Sequence, residues 1–337
     1  MALTINTNIS SLIAQRNLNA ATNALNVSIE RMSTGYKINH ASDNAAGYSI
    51  SNMWVTQLGS LDVAADNAAT GADMLTSAEE TYGLLTSHLQ RVRDLTEQAA
   101  NGTYGSASLK AIQAEIAARL HEVNRISANA EFNGIKLMAY KQDGDGSGIT
   151  SDGVNLQVGL YADENSRINL SSDLFSNASV SGLFGQMTTN AYSANSFADL
   201  IEAAGGDAAA IDLTTDEGIE IMAAACSSLI YDSASGEFSL QGQSGFGAKE
   251  MLGYLDDAID EISERVTRIG AAQNRVSSAI SALDVQSQNL TSSLSTLRDT
   301  DIAEESSNYI QAQILQQASA TLLSTANQLP SIALNLI

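Results

Sequence analysis

The two ends of this 337-residue chain are almost free of charge, and that property limits the folds open to it. Arg16 is the one charged side chain between Met1 and Ile29, and residues 306–337 carry none. Both ends still repeat apolar residues at helical spacing. A surface helix normally carries Lys and Glu opposite its apolar stripe, whereas these ends carry Asn, Gln, Ser, Thr and Ala. The pattern indicates helices that are covered on more than one side.

Two interpretations of these uncharged ends compete. Either an ordinary helix pair lacks charges by chance, or neighbouring subunits cover the helices, where a buried charge would be costly. Short helices without tertiary packing are marginal in water, so an isolated chain would leave its ends poorly ordered. We favour assembly. At the C-terminal end Leu315, Leu322 and Leu329 repeat every seven residues as the expected seam of the helix, with Ala318 and Ala326 beside it. The apolar residues predicted to drive assembly are Ile5, Ile9, Leu12, Leu18 and Leu25 at one end and Leu315, Leu322 and Leu329 at the other.

Composition excludes several classes of partner. The chain has 16 basic against 38 acidic residues and a net charge of −22, which argues against binding to nucleic acid. A lone cysteine, Cys226, can form neither an internal disulfide nor a cysteine metal site. No run of about 18 apolar residues occurs, so membrane insertion is not predicted. The N-terminal residues lack a basic region and an apolar run, so no cleavable signal peptide is predicted.

The predicted fold class is mainly α. Both termini form a long antiparallel helical bundle and coiled-coil rod, with a β-hairpin and a small α+β outer domain. The middle of the chain, residues 141–247, holds 15 acidic and 2 basic residues with many glycines, as suits a solvated outer domain. Phe132-Asn133-Gly134-Ile135 is typical of a hairpin turn, and residues 154–160 alternate like a strand. Helices are predicted at about 4–32, 57–100, 105–129, 248–297 and 303–328.

Catalytic motifs are incomplete in this sequence. His121-Glu122 begins a zinc-protease motif, but Arg125 stands where the second histidine must lie to share the metal. Asp143 and Asp145 resemble the start of a calcium-binding loop, yet the twelfth position is Val154 instead of a carboxylate. We therefore predict neither an enzyme nor a cofactor.

Several sequence blocks, in order at both ends of the chain, point to one family. The first is RMSTGYKINHASDNAAG at residues 31–47. Similar blocks lie at residues 90–95, 98–102, 122–126 and 132–134, and near the C-terminus at residues 307–318 and 326–330. Together these blocks closely resemble bacterial flagellin, over residues 1–140 and about 248–337.

The resemblance implies a self-assembling subunit of the bacterial flagellar filament, located outside the cell. Such proteins leave the cell unfolded by flagellar type III export and polymerise beneath a cap. Implied partners are further copies of the chain, the filament cap and hook-junction proteins, and an export chaperone at the C-terminal segment. Three domains are implied: residues 1–44 with 298–337 form the inner coiled-coil tube, 45–175 with 248–297 the rod, and 176–247 the exposed outer domain. Segments 33–56 and 298–304 would join tube to rod.

The resemblance also implies two special sites in the rod. Asn133, Gly134 and Ile135 lie at the hairpin whose two packings would switch the supercoil of the filament. Arg91, Leu95 and Glu115 match positions through which flagellins contact a host Toll-like receptor. Arg91 and Glu115 could equally serve as contacts between helices or subunits.

Two alternative functions stay open at this point. A hook–filament junction protein shares similar terminal helices but forms only a short collar, and the matches at residues 90–95 and 314–318 favour the filament protein instead. Some flagellin-like proteins carry a protease in the middle of the chain, and the incomplete zinc motif argues against that function.

Overall fold

The computed structural model describes residues 8–101, 103–140, 148–149, 153–185, 216, 219–220, 222, 230–232, 237–239 and 248–334. The chain divides into two compact units. The terminal unit comprises Met1–Asp62 and Asp284–Ile337, and the rod unit is Val63–Leu283. Most of the predicted outer domain, 176–247, lies outside the described residues, as do Cys226 and the acidic turn at residues 143 and 145. The proposed three-domain boundaries stay a prediction.

Long helices dominate both units, which confirms the predicted class. They are α1 (Ile9–Thr34), α2 (Ala45–Ala100), α3 (Ser106–Asn129), the short α4 (Val180–Gly185), α5 (Ala248–Arg298) and α6 (Ile302–Leu334). The prediction for α2 was wrong at its start, because the helix begins at Ala45 and takes in half of the predicted linker 33–56. Asn44 explains this boundary: its side-chain oxygen accepts the Gly47 amide at 2.9 Å and so caps the first turn.

The strands are short and lie in the rod unit. β1 (Glu131–Phe132) and β2 (Ile135–Tyr140) pair antiparallel, and β3 (Gly148–Ile149) pairs parallel with β2. β4 (Val154–Gln157) pairs antiparallel with β5 (Arg167–Leu170), and β6 (Ile230–Asp232) with β7 (Glu237–Ser239). The predicted strand at 154–160 ends early, at Gln157. The Val158 amide still donates to the Ser166 carbonyl at 2.9 Å, and the chain then turns back through residues 159–166.

One aliphatic core joins α2, α3 and α5 in the rod unit. Its fully buried members include Leu75, Leu85, Leu89 and Val92 from α2, Ile116, Leu120 and Val123 from α3, and Met251, Leu255, Ile262 and Ile269 from α5. Their spacing of three and four residues is that of helices packed side by side. Leu84 does not belong to this core: it is 56% exposed, because Leu85 occupies the core position on that turn.

A buried cation fixes the segment that follows β5. The Arg265 side chain is 5% exposed and pairs with Glu261 one turn earlier on α5. Its guanidinium also donates to the carbonyls of Ser176 and Asn177, each at 3.3 Å. Close by, the Tyr82 hydroxyl donates to the Leu174 carbonyl at 3.1 Å, and burial raises the pKa of this phenol. Helices α2 and α5 thereby hold residues 174–177 in place.

Close backbone approach makes Gly153 essential at the start of β4. Its φ is +72°, and a Cβ there would lie 2.0 Å from the Leu170 carbonyl oxygen. We expect Gly153→Ala to lower the free energy of unfolding of the rod unit by about 2–3 kcal/mol, since strain and a clash with backbone add together. Urea denaturation followed by circular dichroism would measure the change. Gly83→Ala is the control, because that helical glycine has open space at its Cβ; equal stability of the two variants would contradict the prediction.

Candidate assembly surface

Helices α1 and α6 pack antiparallel through a buried seam of mostly small side chains. The seam residues recur at spacings of three, four or their sum of seven: Ala14, Leu18, Ala21, Leu25 and Ser28 on α1, and Glu305, Ala312, Gln316, Ser319 and Ala326 on α6. Such spacing is that of a coiled-coil contact, and small residues let the two backbones approach closely. The prediction that both ends form paired helices is confirmed.

Polar but uncharged groups tie the two helices together. Asn8 donates from Nδ2 to the Ala326 carbonyl at 2.7 Å. This carbonyl is available because Pro330, four residues on, has no amide hydrogen to donate to it. The Ser11 hydroxyl contacts Asn327 Oδ1 at 2.7 Å, and Gln316 Nε2 donates to the Thr22 hydroxyl at 3.2 Å. The pair is thus held without buried charge along most of its length.

The apolar residues predicted for assembly mostly face away from this seam. Ile9, Leu12, Leu315 and Leu322 are 58%, 54%, 51% and 61% exposed. The interpretation of the C-terminal repeat as the seam was wrong, because the seam uses Ala312, Ser319 and Ala326 instead; Ala318 is exposed. Leu18 and Leu25 are half-buried in the seam. Ile5 and the side chain of Leu329 lie outside the described residues.

Further apolar side chains extend this outward face. Ile13 and Val27 on α1 and Ile310 and Ile314 on α6 are also exposed. We name the exposed apolar residues of α1 and α6 the outer face: Ile9, Leu12, Ile13, Val27, Ile29, Met32, Ile302, Ile310, Ile314, Leu315 and Leu322. Exposed apolar side chains in this number indicate an interaction surface, since their contact with water is unfavourable.

Where α1 ends and α6 begins, the chain crosses over itself in a short backbone bridge. Gly35, with φ +77°, ends α1 in the left-handed conformation. Tyr36 then pairs with Asp299, and the Lys37 amide donates to the Arg298 carbonyl at 2.7 Å. The Arg298 guanidinium lies 3.9 Å from the centroid of the Tyr36 ring. This bridge fixes how the two terminal helices are joined.

The loop after this bridge is organised by a carboxylate. Asp43 accepts hydrogen bonds from the backbone amides of His40, at 2.9 Å, and Asn39, at 3.1 Å. These bonds stabilise the ionised form and lower the pKa of the Asp43 carboxyl below its ordinary value of 3.8. His40 also contacts Glu30 of α1 at 2.8 Å. The loop is therefore ordered by local polar contacts.

The predicted hairpin turn is present in the rod unit. Asn133 and Gly134 have φ values of 50° and 80°, which identify a two-residue turn of the type that fits twisted strands. Phe132 pairs with Ile135 across it. Lys136 donates from Nζ to the Ala128 carbonyl at 2.8 Å, which ties the hairpin to the end of α3.

The three residues assigned to receptor contact do not share one surface environment. Arg91 on α2 and Glu115 on α3 form an exposed ion pair at 3.0 Å. Leu95 is only 2% exposed and belongs to the core. Arg91 and Glu115 are thus accessible to a partner, whereas Leu95 supports the helix beneath them.

The residues of the incomplete catalytic motif have ordinary structural partners. His121 contacts Asp216 at 3.5 Å, and the Glu122 carboxylate binds the Arg125 guanidinium, which lowers the pKa of Glu122. Within the described ranges, His, Cys, Asp and Glu side chains form no cluster of three that could hold a metal ion. The same ranges contain no helix apolar and long enough to cross a bilayer.

Comparison with known proteins decides the family. Residues 5–143 match the bacterial flagellin N-terminal helical region, and residues 252–337 match the bacterial flagellin C-terminal helical region. Flagellin B of Vibrio cholerae is 34% identical over 377 residues and covers 100% of both chains. Polar flagellin F of Vibrio parahaemolyticus is 34% identical over 376 residues with the same coverage. The chain belongs to the bacterial flagellin family.

This flagellin is therefore a subunit of the bacterial flagellar filament, and the resemblance noted in the sequence is confirmed. Bacillus cereus flagellin, known from a crystal structure, is also similar. It is 17% identical, with 65% of this chain and 88% of that chain covered and a TM-score of 0.39. That overlap is too low to compare the two folds in detail.

Proposed function

We propose that this flagellin polymerises by burying the outer face of α1 and α6 against neighbouring copies. The observation that carries the proposal is the exposure of Ile9, Leu12, Leu315 and Leu322 on helices that carry almost no charge. Burying one such side chain contributes about 1.5–3 kcal/mol. Because few charges have to be desolvated there, most of that gain is retained on assembly.

Repeated copies of this contact build an open filament. A surface that meets a different surface on the next copy generates a helix whenever the rotation does not close a ring. In this arrangement α1 and α6 lie inside the filament. The predicted acidic middle segment, residues 141–247, would then face the solvent.

We assign the supercoil switch of the filament to the hairpin at Asn133, Gly134 and Ile135. Two packings of the hairpin that are close in energy would let subunits change state under torque. Gly134 has φ +80°, and a Cβ added there would meet nothing within 4 Å, so Gly134→Ala acts through the backbone alone. We expect this variant to form straight filaments, because strain of about 1 kcal/mol biases one packing. Electron microscopy of the filaments would show the shape.

The matched control for the hairpin is Gly83→Ala, which removes a glycine without positive φ from α2. Its filaments are expected to keep the supercoil of the unmodified protein. Helical filaments from Gly134→Ala as well would contradict the assignment of the switch to this hairpin.

Arg91 and Glu115 form the accessible part of a receptor-contact surface, with Leu95 acting from below through the position of α2. We expect Arg91→Ala to weaken binding to a Toll-like receptor ectodomain about tenfold or more, since an interface arginine is a frequent hot spot. Surface plasmon resonance with the monomer would measure this. Arg119→Ala is the control, as its contact with Glu115 is longer, at 3.8 Å. Unchanged binding of the Arg91 variant would show that the Arg91–Glu115 pair serves only to join α2 and α3.

The proposed function also includes export by the flagellar type III pathway, with a chaperone bound to the C-terminal segment. The exported chain then assembles beneath the filament cap and beyond the hook-junction proteins. Expression of the chain in a motile bacterium that lacks its own flagellin tests it. Long surface filaments and restored swimming are the expected result. Short collars on the hook would favour a junction protein instead, and protein retained in the cell would contradict export by this route.

A further inference from the structure

A cavity of about 710 Å³ opens in the terminal unit, near the bridge between α1 and α6. Its wall includes the apolar side chains of Ile38, Trp54 and Leu297 and the basic side chains of Arg31 and Lys37. Trp54 is the single tryptophan of the chain. The volume is in the range that accommodates a small ligand or a protruding segment of another protein.

Positive charge in this cavity is only partly matched. Asp43 also lines it and lies close enough to Arg31 for the two charges to interact, and its carboxylate also accepts hydrogen bonds from backbone amides of the loop. Arg31 lies 3.7 Å from Glu305, and its Nε is buried with no hydrogen-bond partner in the described part of the chain. Lys37 donates from Nζ to the Thr296 carbonyl at 3.0 Å. Among the described residues Lys37 forms no ion pair, so its ammonium is available to donate a hydrogen bond to a carboxylate.

We propose that this cavity receives a carboxylate-bearing segment of a second copy of this chain; the inference rests on the proposed function. The charge balance supports this occupant, because 38 acidic and 16 basic residues mean that any copy presents chiefly carboxylates. Exposed apolar residues also lie next to the lining residues along the chain. Met32 adjoins Arg31, and Ile50 and Met53 lie within about one turn of Trp54 on α2.

The chemistry of the cavity determines what the incoming segment carries. A carboxylate placed beside Lys37 would form a charge-assisted hydrogen bond with its ammonium, which is shorter and stronger than a neutral one. Apolar side chains beside that carboxylate would pack on Trp54 and Leu297. Charge pairing of this kind sets register and speeds encounter more than it adds affinity. The cavity therefore selects how one subunit is seated on the next.

Site-specific photo-crosslinking tests the occupant directly. A benzophenone amino acid is placed at Ser293 or Ser292, both exposed residues of the cavity wall, in the full chain, which is then elongated on sheared filament seeds. Crosslinks between chains are expected in the filament and not in the monomer. Filaments with crosslinks only within one chain would overturn the docking but leave the proposed function intact. Failure of the unsubstituted chain to form filaments would overturn the proposed function itself.

Variants of Lys37 provide a second, independent test. Lys37→Glu is expected to slow elongation on unmodified seeds about tenfold or more, because like charges then meet in the cavity. Lys37→Arg keeps the charge and is expected to elongate within about twofold of the unmodified rate. Circular dichroism of the monomers checks that both variants fold alike. Equal elongation by the Glu and Arg variants would overturn the proposal.

Discussion

Arg265→Ala is expected to lower the free energy of unfolding of the rod unit by about 3 kcal/mol. The guanidinium is almost fully buried, pairs with Glu261 and donates to the carbonyls of Ser176 and Asn177. Its removal leaves a carboxylate and two carbonyl oxygens without their donor. Urea denaturation followed by far-ultraviolet circular dichroism measures the loss.

The matched control is Arg268→Ala, three residues further along α5. Arg268 is half exposed and pairs with Glu264 at 2.6 Å and Asp173 at 3.6 Å. Ion pairs in contact with solvent contribute about 0–1 kcal/mol, so this variant is expected to remain near the stability of the unmodified protein. If both substitutions lowered the free energy of unfolding by similar amounts, the buried contacts of Arg265 would contribute no more to stability than an exposed ion pair.

Replacing Leu315 and Leu322 together by aspartate is expected to abolish filament growth. Both leucines belong to the outer face and are more than half exposed in the single subunit. Each substitution removes about 1.5–3 kcal/mol of the free energy that burial of the leucine contributes to assembly. Each introduced carboxylate would also be desolvated at further cost. The critical concentration for seeded growth should rise by more than about a hundredfold. Sedimentation of filaments at a series of protein concentrations measures this value.

The control for these leucines is their joint replacement by methionine, which keeps volume and apolar character. That variant should polymerise with a critical concentration within about tenfold of the unmodified value. The stability of the rod unit should be unchanged in both variants, because residues 315 and 322 lie outside it. Filaments formed equally well by the aspartate variant would exclude these residues from the interface.

The terminal helices illustrate how far sequence periodicity reaches. Apolar periodicity predicted correctly that both ends form helices and that these helices pair. It did not predict which heptad lies in the seam, because two repeats coexist on α6. The leucines at 315 and 322 give the more conspicuous pattern, yet the small residues Ala312 and Ala326 allow the closer packing. Leu315 and Leu322 therefore remain on the outside, although the sequence pattern alone placed them at the seam.

Contacts between distant residues were beyond reach of the sequence. Arg265 lies 88 residues from the Asn177 carbonyl that it binds. Its spacing of three residues from Ile262 and four from Ile269 fits the buried repeat of α5, unlike that of Arg268, but spacing does not identify the carbonyls that it binds. By contrast, Asn133-Gly134 was predicted correctly, since a two-residue turn with positive φ is specified by its own residues. The early start of α2 also had a local signal, the capping side chain of Asn44.

Seeded polymerisation observed by electron microscopy tests the central claim most directly. Purified full-length chain is mixed with sheared filament seeds in a salting-out buffer, which strengthens apolar burial. A chain lacking residues 306–337 is run beside it. Long filaments from the full chain alone are the predicted result, since the truncated chain lacks most of α6 and its share of the outer face. Filaments of equal length from both chains, or none from either, would contradict assembly through the uncharged terminal helices.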